Sequence, residues 1–182
     1  TVLPEPSVGM RQVVQKILDL VQRVVVMTTS SKIILQNLYQ VTSEKIVVIP
    51  HGIHEVAFTD GREAKERLGL SGYKTLSTFG LLGEGKGMEY GIEALPELVR
   101  QIPNVRYLIV GATHPVVLAH HGENYRNKLR DLAQKLGVAE HVIFYNQYFS
   151  TSELLTFLQA TDVYLALSQN PDQAVSGTLS YA

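Results

Sequence analysis

The chain has 182 residues, of which 45% are hydrophobic and 18% charged, which is enough apolar material for a packed core and excludes a disordered segment. Its formal net charge of -1 provides no broad positive field, so nucleic acid and anionic lipid are poor partners. The absence of cysteine excludes a disulfide framework, a thiolate nucleophile and a cysteine zinc site, and fits a reducing, cytoplasmic setting.

Helical periods and short apolar runs alternate along the chain. Val13, Val14, Ile17, Leu18 and Val21 repeat at helical spacing, and Val24–Met27 reads as a buried strand. Such runs are too short to span a bilayer. Thr28–Ser31 offers an N-cap for a helix ending near Tyr39, and Ile46–Ile49 is the next strand, closed by Pro50-His51-Gly52. A polar stretch leads to a short helix ending near Leu68, followed by a strand with its core at Leu76–Phe79. A helix then starts near Gly87, and Pro96 is expected to kink or split it. Tyr107–Val110 is a strand that stops on Gly111. Tyr125, Leu129, Leu132 and Leu136 form one stripe, with Gly137 as C-cap. Val142–Tyr145 is a strand, Ser150 with Glu153 makes a capping box for a helix carrying Leu154, Leu155 and Leu158, and Val163–Leu167 is the last strand.

Strands alternating with helices predict an α/β fold, a Rossmann-like parallel sheet with helices on both faces. Ligands of such sheets gather beyond the C-terminal strand ends, which singles out 80–86, 111–121, 146–150 and 168–178. A seam is expected around 51–60. The chain starts on Thr1 and stops at Ser180-Tyr181-Ala182 in the opening turn of a helix, so both ends read as cuts in a longer chain.

The loop Phe79-Gly80-Leu81-Leu82-Gly83-Glu84-Gly85-Lys86-Gly87 runs from a strand into a helix. Its glycines let backbone approach an anion, the helix start adds N–H groups, and Lys86 adds a positive charge. The plainer reading is a tight turn with a solvated lysine. Gly80-x-x-x-x-Gly85-Lys86 matches a P-loop up to the lysine, but Gly87 stands where Ser or Thr should hold magnesium, so a P-loop phosphotransferase is disfavoured. The dinucleotide fingerprint fails at Met88.

In order and approximate spacing, these features resemble the retaining glycosyltransferases of the GT-B type, in particular the family 4 or group 1 enzymes. Val24–Ser30 and Ile46–Gly52 resemble the passage from that family's N-terminal to its C-terminal domain, and Phe79–Gly87 resembles its diphosphate loop. Leu108–Gly111, Leu136-Gly137, Val142–Tyr145, Glu153-Leu154 and Ala160–Val163 follow in the family's order. The resemblance implies that residues 1–52 end an N-terminal domain and 53–182 form a truncated donor-binding domain. It implies that Lys86 neutralises the diphosphate of a nucleotide-sugar donor, whose departure needs fixed positive groups. The family usually carries arginine where Leu81 stands.

The family also places two glutamates in the final loop, where this chain has Pro171 or Asp172 and then Leu179, within a segment similar to a family subset. The expected diphosphate site is therefore Gly80, Gly83, Gly85 and Lys86, with Ser176, Gly177 and Thr178 offering N–H groups. The sugar and nucleoside are assigned to Gly111, His114, Tyr148, Asn170, Asp172 and Gln173. A plain turn before a Ser-capped helix is the alternative for the last loop. Among the six histidines, His120-His121 reads as solvated loop, His51 and His54 sit at the seam, and His141 reads as structural. No metal and no cofactor besides the donor are expected, and no catalytic residue is assigned. The partners are the donor, an unknown acceptor and the rest of the N-terminal domain. A non-catalytic binding or regulatory module of the same fold is the second reading, motivated by Leu81 and the missing glutamates.

Overall fold

A computed structural model describes residues 2–57, 60–170 and 172–182. Pro171, a candidate for the first glutamate position, lies outside them, as do Phe58 and Thr59 of the expected seam. The chain forms two compact units, one of residues 1–54 with 170–181 and the other of 55–169 with Ala182.

The first unit contains helix α1 (Val8–Leu20), strand β1 (Val24–Val26), helix α2 (Thr29–Tyr39) and strand β2 (Ile46–Val48). Ser7 and Thr28 cap the two helices by accepting from the amides of Met10 and Ser31. The strands pair in parallel, and Leu18, Val26, Leu35, Tyr39, Val41 and Ile46 form a small core. Helix α8 (Gly177–Tyr181) belongs to this unit, where the Tyr181 ring lies 6.3 Å from His51 and 5.9 Å from His54 between centroids.

The second unit is built on four parallel strands: β3 (Lys74–Phe79), β4 (Val105–Val110), β5 (Val142–Tyr145) and β6 (Val163–Tyr164). Their order is β5-β4-β3-β6. Central β4 is buried on both faces: Tyr107 and Ile109 join the main core, and the alternating Leu108 and Val110 are equally covered. Helices α4 (Met88–Gln101) and α6 (Asn124–Lys135) supply Met88, Ile92, Leu95, Tyr125, Leu129 and Ala133 to that core. Helices α3 (Arg62–Arg67) and α7 (Thr151–Gln159) contact each other in the same unit. Gly137, at φ +69°, follows α6, and the Ser150–Glu153 capping box opens α7 as its spacing predicts.

Several expectations require correction. Pro96 does not split its helix, since α4 runs unbroken through it. The proline removes one donor to the Ile92 carbonyl, but Met88, Gly91, Ile92 and Leu95 are buried, and that packing outweighs the lost bond. His120 and His121 are not loop but the last turn of a further helix, α5 (Pro115–His121). Strand β6 stops at Tyr164, although the Leu165 amide still donates to the Ser77 carbonyl. His141 is buried, with Nδ1 3.0 Å from the Val105 carbonyl oxygen and 3.1 Å from an Arg106 nitrogen, so its role is structural.

One carboxylate ties three elements together. Asp162 Oδ2 accepts from the Thr75 amide at 2.7 Å, from the Thr75 hydroxyl at 3.0 Å and from Lys65 Nζ at 2.5 Å. Burial raises the Asp162 pKa, but Lys65 and Thr75 more than offset this and hold it below the ordinary carboxylate value. A depressed native pKa stabilises the fold above the unfolded value of about 3.9, and that stability is lost as pH falls through the native value. Asp162→Ala is expected to cost about 2 kcal/mol at pH 7, discounted for partial exposure. In denaturant titrations the gap from wild type should close below pH 4, and a pH-independent gap would remove the ionised carboxylate from the account.

Candidate functional site

The parallel ladder between β3 and β4 ends at Phe79 and Val110, but the backbone continues to pair beyond it. The Leu82 amide donates to the Ala112 carbonyl and the His114 amide to the Leu82 carbonyl, both at 2.9 Å. Two glycines permit this approach. Gly111 has φ +141°, and a Cβ there would stand 2.2 Å from the Gly80 carbonyl oxygen. Gly87, at φ +70°, opens α4 where a Cβ would lie 2.2 Å from the Leu167 carbonyl oxygen. The Gly85 carbonyl accepts from the Gln169 amide at 3.0 Å, so the loop is held on both sides.

Within this frame Leu82 is fully buried, whereas Glu84, Gly85 and Lys86 face solvent. Among the described residues no acceptor takes the amides of Glu84 and Gly85, and no hydrogen bond or ion pair engages Lys86 Nζ. Glu84 pairs with Lys128 at 2.8 Å and not with Lys86. The Lys128 ammonium, by hydrogen bond first and charge second, holds the Glu84 carboxyl below its usual value. The loop therefore presents free N–H groups and an unneutralised cation, the chemistry of an anion site. At its far end the Met88 amide, an orphan donor of the helix start, is met by the Tyr125 hydroxyl at 3.3 Å, which itself donates to Glu89.

The structure brings Gly80, Gly83, Gly85 and Lys86 together with Gly111 and His114 at the ends of β3 and β4. His114 caps α5, its Nδ1 accepting from the Val116 amide at 3.2 Å, and the ring is exposed. Tyr148 follows β5 and is 83% exposed, while Tyr145, Phe149 and Phe157 pack edge to face. Asn170, Asp172, Gln173, Ser176, Gly177 and Thr178 belong to the other unit. There the Asn170 side chain accepts from the Asp172 amide, and Gln173 donates to the Val175 carbonyl. The Ser176 hydroxyl accepts from the Leu179 amide and lies 3.0 Å from that of Thr178, which makes Ser176 the cap of α8. Gly177 faces the His51 ring.

Sequence reasoning missed a buried charged group at the same strand ends. Arg126 is 1% exposed, with Nε 3.1 Å from Glu123 Oε2 and Nη2 3.0 Å from the Gly111 carbonyl oxygen. Nη2 also lies 3.4 Å from Thr113 Oγ1, and the Thr113 hydroxyl donates to Glu123. The Thr113 hydroxyl, against burial and together with Arg126, lowers the Glu123 pKa. Burial lowers that of Arg126, against the pull of Glu123. The signal available in the sequence was the Glu123/Arg126 spacing, which places both on one helical face. Among the described residues, no group of three or more His, Asp or Glu side chains is arranged to hold a metal. No helix there is long and apolar enough to cross a membrane.

A parallel sheet with helices on both faces and a glycine loop at a strand end belongs to the Rossmann-like α/β class. Residues 60–177 match the family model described as glycosyl transferases group 1, and the chain belongs to that family. One relative is the GDP-mannose-dependent α-(1-6)-phosphatidylinositol monomannoside mannosyltransferase of Mycolicibacterium smegmatis. It is 34% identical over 100 residues, which span 53% of this chain and 24% of the relative. Anabaena HepE, solved with UDP and glucose, superposes with a TM-score of 0.70 at 18% identity, covering 93% of this chain and 46% of its own. Sucrose-phosphate synthase from Thermosynechococcus elongatus gives 0.67 at 21% identity, covering 91% and 39%. The chain thus spans less than half the length of each, and the two structures at these identities show the fold alone.

Because the loop depends on close backbone contact, Gly87→Ala is expected to lower stability by about 1–3 kcal/mol through strain at positive φ and the clash with Leu167. Urea denaturation checks this, and an unchanged midpoint would show that the backbone at Leu167 yields freely.

Proposed function

We propose that this chain binds the nucleoside-diphosphate sugar donor of a hexosyl-transferring enzyme and that Lys86 contacts the donor's diphosphate. The Lys86 ammonium and the amides of Glu84 and Gly85, without partners among the described residues, carry the reading, and family membership supports it. As the glycosyl bond breaks, charge accumulates on the departing diphosphate. Fixed N–H groups and one cation stabilise that charge without reorganising. Gly80, Gly83 and Gly85 let the chain approach the phosphates, and Gly111, His114 and Tyr148 border the same strand ends as candidates for sugar and nucleoside contacts. Asn170, Asp172, Gln173, Ser176, Gly177 and Thr178 are assigned to the donor on sequence grounds. Residues 1–52 act as the end of an N-terminal domain and 53–182 as the donor domain.

Transfer is proposed to retain the anomeric configuration, in the cytoplasm, with no cofactor besides the donor. The acceptor and a catalytic group from further chain complete the reaction. The fragment alone is expected to be inactive. A GDP-linked donor is favoured by the GDP-mannose dependence of the mycobacterial relative, and a UDP-linked one by the UDP bound to HepE. A second reading, a non-catalytic binding module, is favoured by Leu81 in place of a second cation and by Pro171 or Asp172, and then Leu179, where glutamates are usual.

Calorimetric titration with UDP, GDP and ADP tests the leading reading. Selective binding of one diphosphate is expected, and Lys86→Ala should weaken it about tenfold, the value of one charge-assisted contact. Unchanged affinity in the variant would remove Lys86 from the site. Sugar transfer by the full-length protein across a donor panel would exclude the non-catalytic reading.

A further inference from the structure

Arg126 makes contacts that packing alone does not require. Tyr125, Leu129 and Ala133 already seat α6 in the core, and an apolar side chain at 126 would add to that packing without desolvating a charge. The guanidinium is nevertheless buried, and its Nη1 has no partner among the described residues. Its other nitrogens reach Glu123 on one side and the Gly111 carbonyl with the Thr113 hydroxyl on the other. These last two belong to the turn after β4 that pairs with the glycine loop through Leu82. From Arg126 the chain of contacts runs through Gly111 and Thr113 to Ala112 and His114, then to both backbone groups of Leu82 next to Gly83.

We infer that Arg126 is a positioning residue for the glycine loop. It acts through the 111–114 turn and, resting on the reading above, sets the loop's affinity for a diphosphate without touching it. Glu123 serves the same end twice: it neutralises Arg126 and accepts from the Thr113 hydroxyl, so the turn is gripped from two directions. A side chain that only stabilised the domain would loosen every element together. A positioner loosens the loop first.

Hydrogen exchange of the protein and of Arg126→Met tests this, methionine being an apolar side chain of similar reach. The Leu82 and His114 amides are expected to exchange about tenfold faster, while those of Tyr107 and Leu108 in β4 keep wild-type protection. Thr113→Val should reproduce the effect and Thr113→Ser should restore protection, and this pair carries the test if Arg126→Met does not fold. In parallel, affinity for UDP or GDP should fall about tenfold, with affinity for the corresponding nucleoside unchanged. Unchanged exchange at Leu82 and His114 would overturn the inference, and so would uniform acceleration that includes β4. If the wild-type protein binds no nucleotide but the selective exchange effect appears, the positioning role stands and the donor reading falls.

Discussion

The approach of Gly111 to the Gly80 carbonyl is the constraint on which the rest of the second unit's upper edge depends. A Cβ at 111 would stand 2.2 Å from that oxygen, and the φ of +141° disfavours any side chain, so the two strand ends can approach this closely only with glycine at 111. With that contact in place, backbone pairing extends from Phe79 and Val110 to Leu82 and Thr113. The first half of the glycine loop is thereby part of the sheet's hydrogen-bonded frame, and residues 84–86 project from it, tethered by the Gly85 carbonyl on the Gln169 amide. Groups placed on such a frame lose little freedom when an anion arrives, which is what makes fixed amides effective.

The two ion pairs near this loop differ in kind. Glu84 and Lys128 are both largely exposed, and a pair in water contributes little to stability. Its consequence is local: Glu84 is drawn toward α6, and no ion pair among the described residues compensates the Lys86 charge. Glu123 and Arg126 meet where Arg126 is buried and Glu123 partly exposed, so losing Glu123 would strand the guanidinium charge in the interior. The first pair leaves the site's charge available, and the second sets where the site's backbone lies.

Features governed by local rules were legible in the sequence. The run at 107–110 gave β4, Ser150 with Glu153 gave the start of α7, and Gly137 marked the end of α6, because capping and burial leave short-range signatures. Pro96 misled because local chemistry argued for a break while tertiary packing of Ile92 and Leu95 held the helix together. Helix α5 was missed although Pro115 stands at its first turn, a recognised start signal, because its seven residues carry no apolar stripe and its N-cap is a histidine. The exposed place of Lys86 in its loop was legible from the glycines around it. Arg126 was not, because the stripe at 125, 129, 132 and 136 assigns position 126 to solvent, whereas the observed buried set is Tyr125, Arg126, Leu129 and Ala133. That rotation of the buried face arises from contacts with the ends of strands distant in the chain, which no local period encodes.

Leu81 links the charge of the loop to its rigidity. Where the family usually carries a second cation, this chain has a half-buried leucine, so on the proposed reading the loop offers a diphosphate one cation, Lys86, beside its backbone N–H groups. A lysine is a flexible point charge that follows its ligand, whereas an amide dipole contributes only if it already points at the anion. With one cation fewer, a larger share of the stabilisation falls on orientation, and orientation here is fixed by Gly111, Leu82 and the buried guanidinium behind them. The loss of a charge in front of the loop and the burial of one behind it are then two sides of one arrangement, in which rigidity takes over part of what electrostatic attraction would otherwise supply.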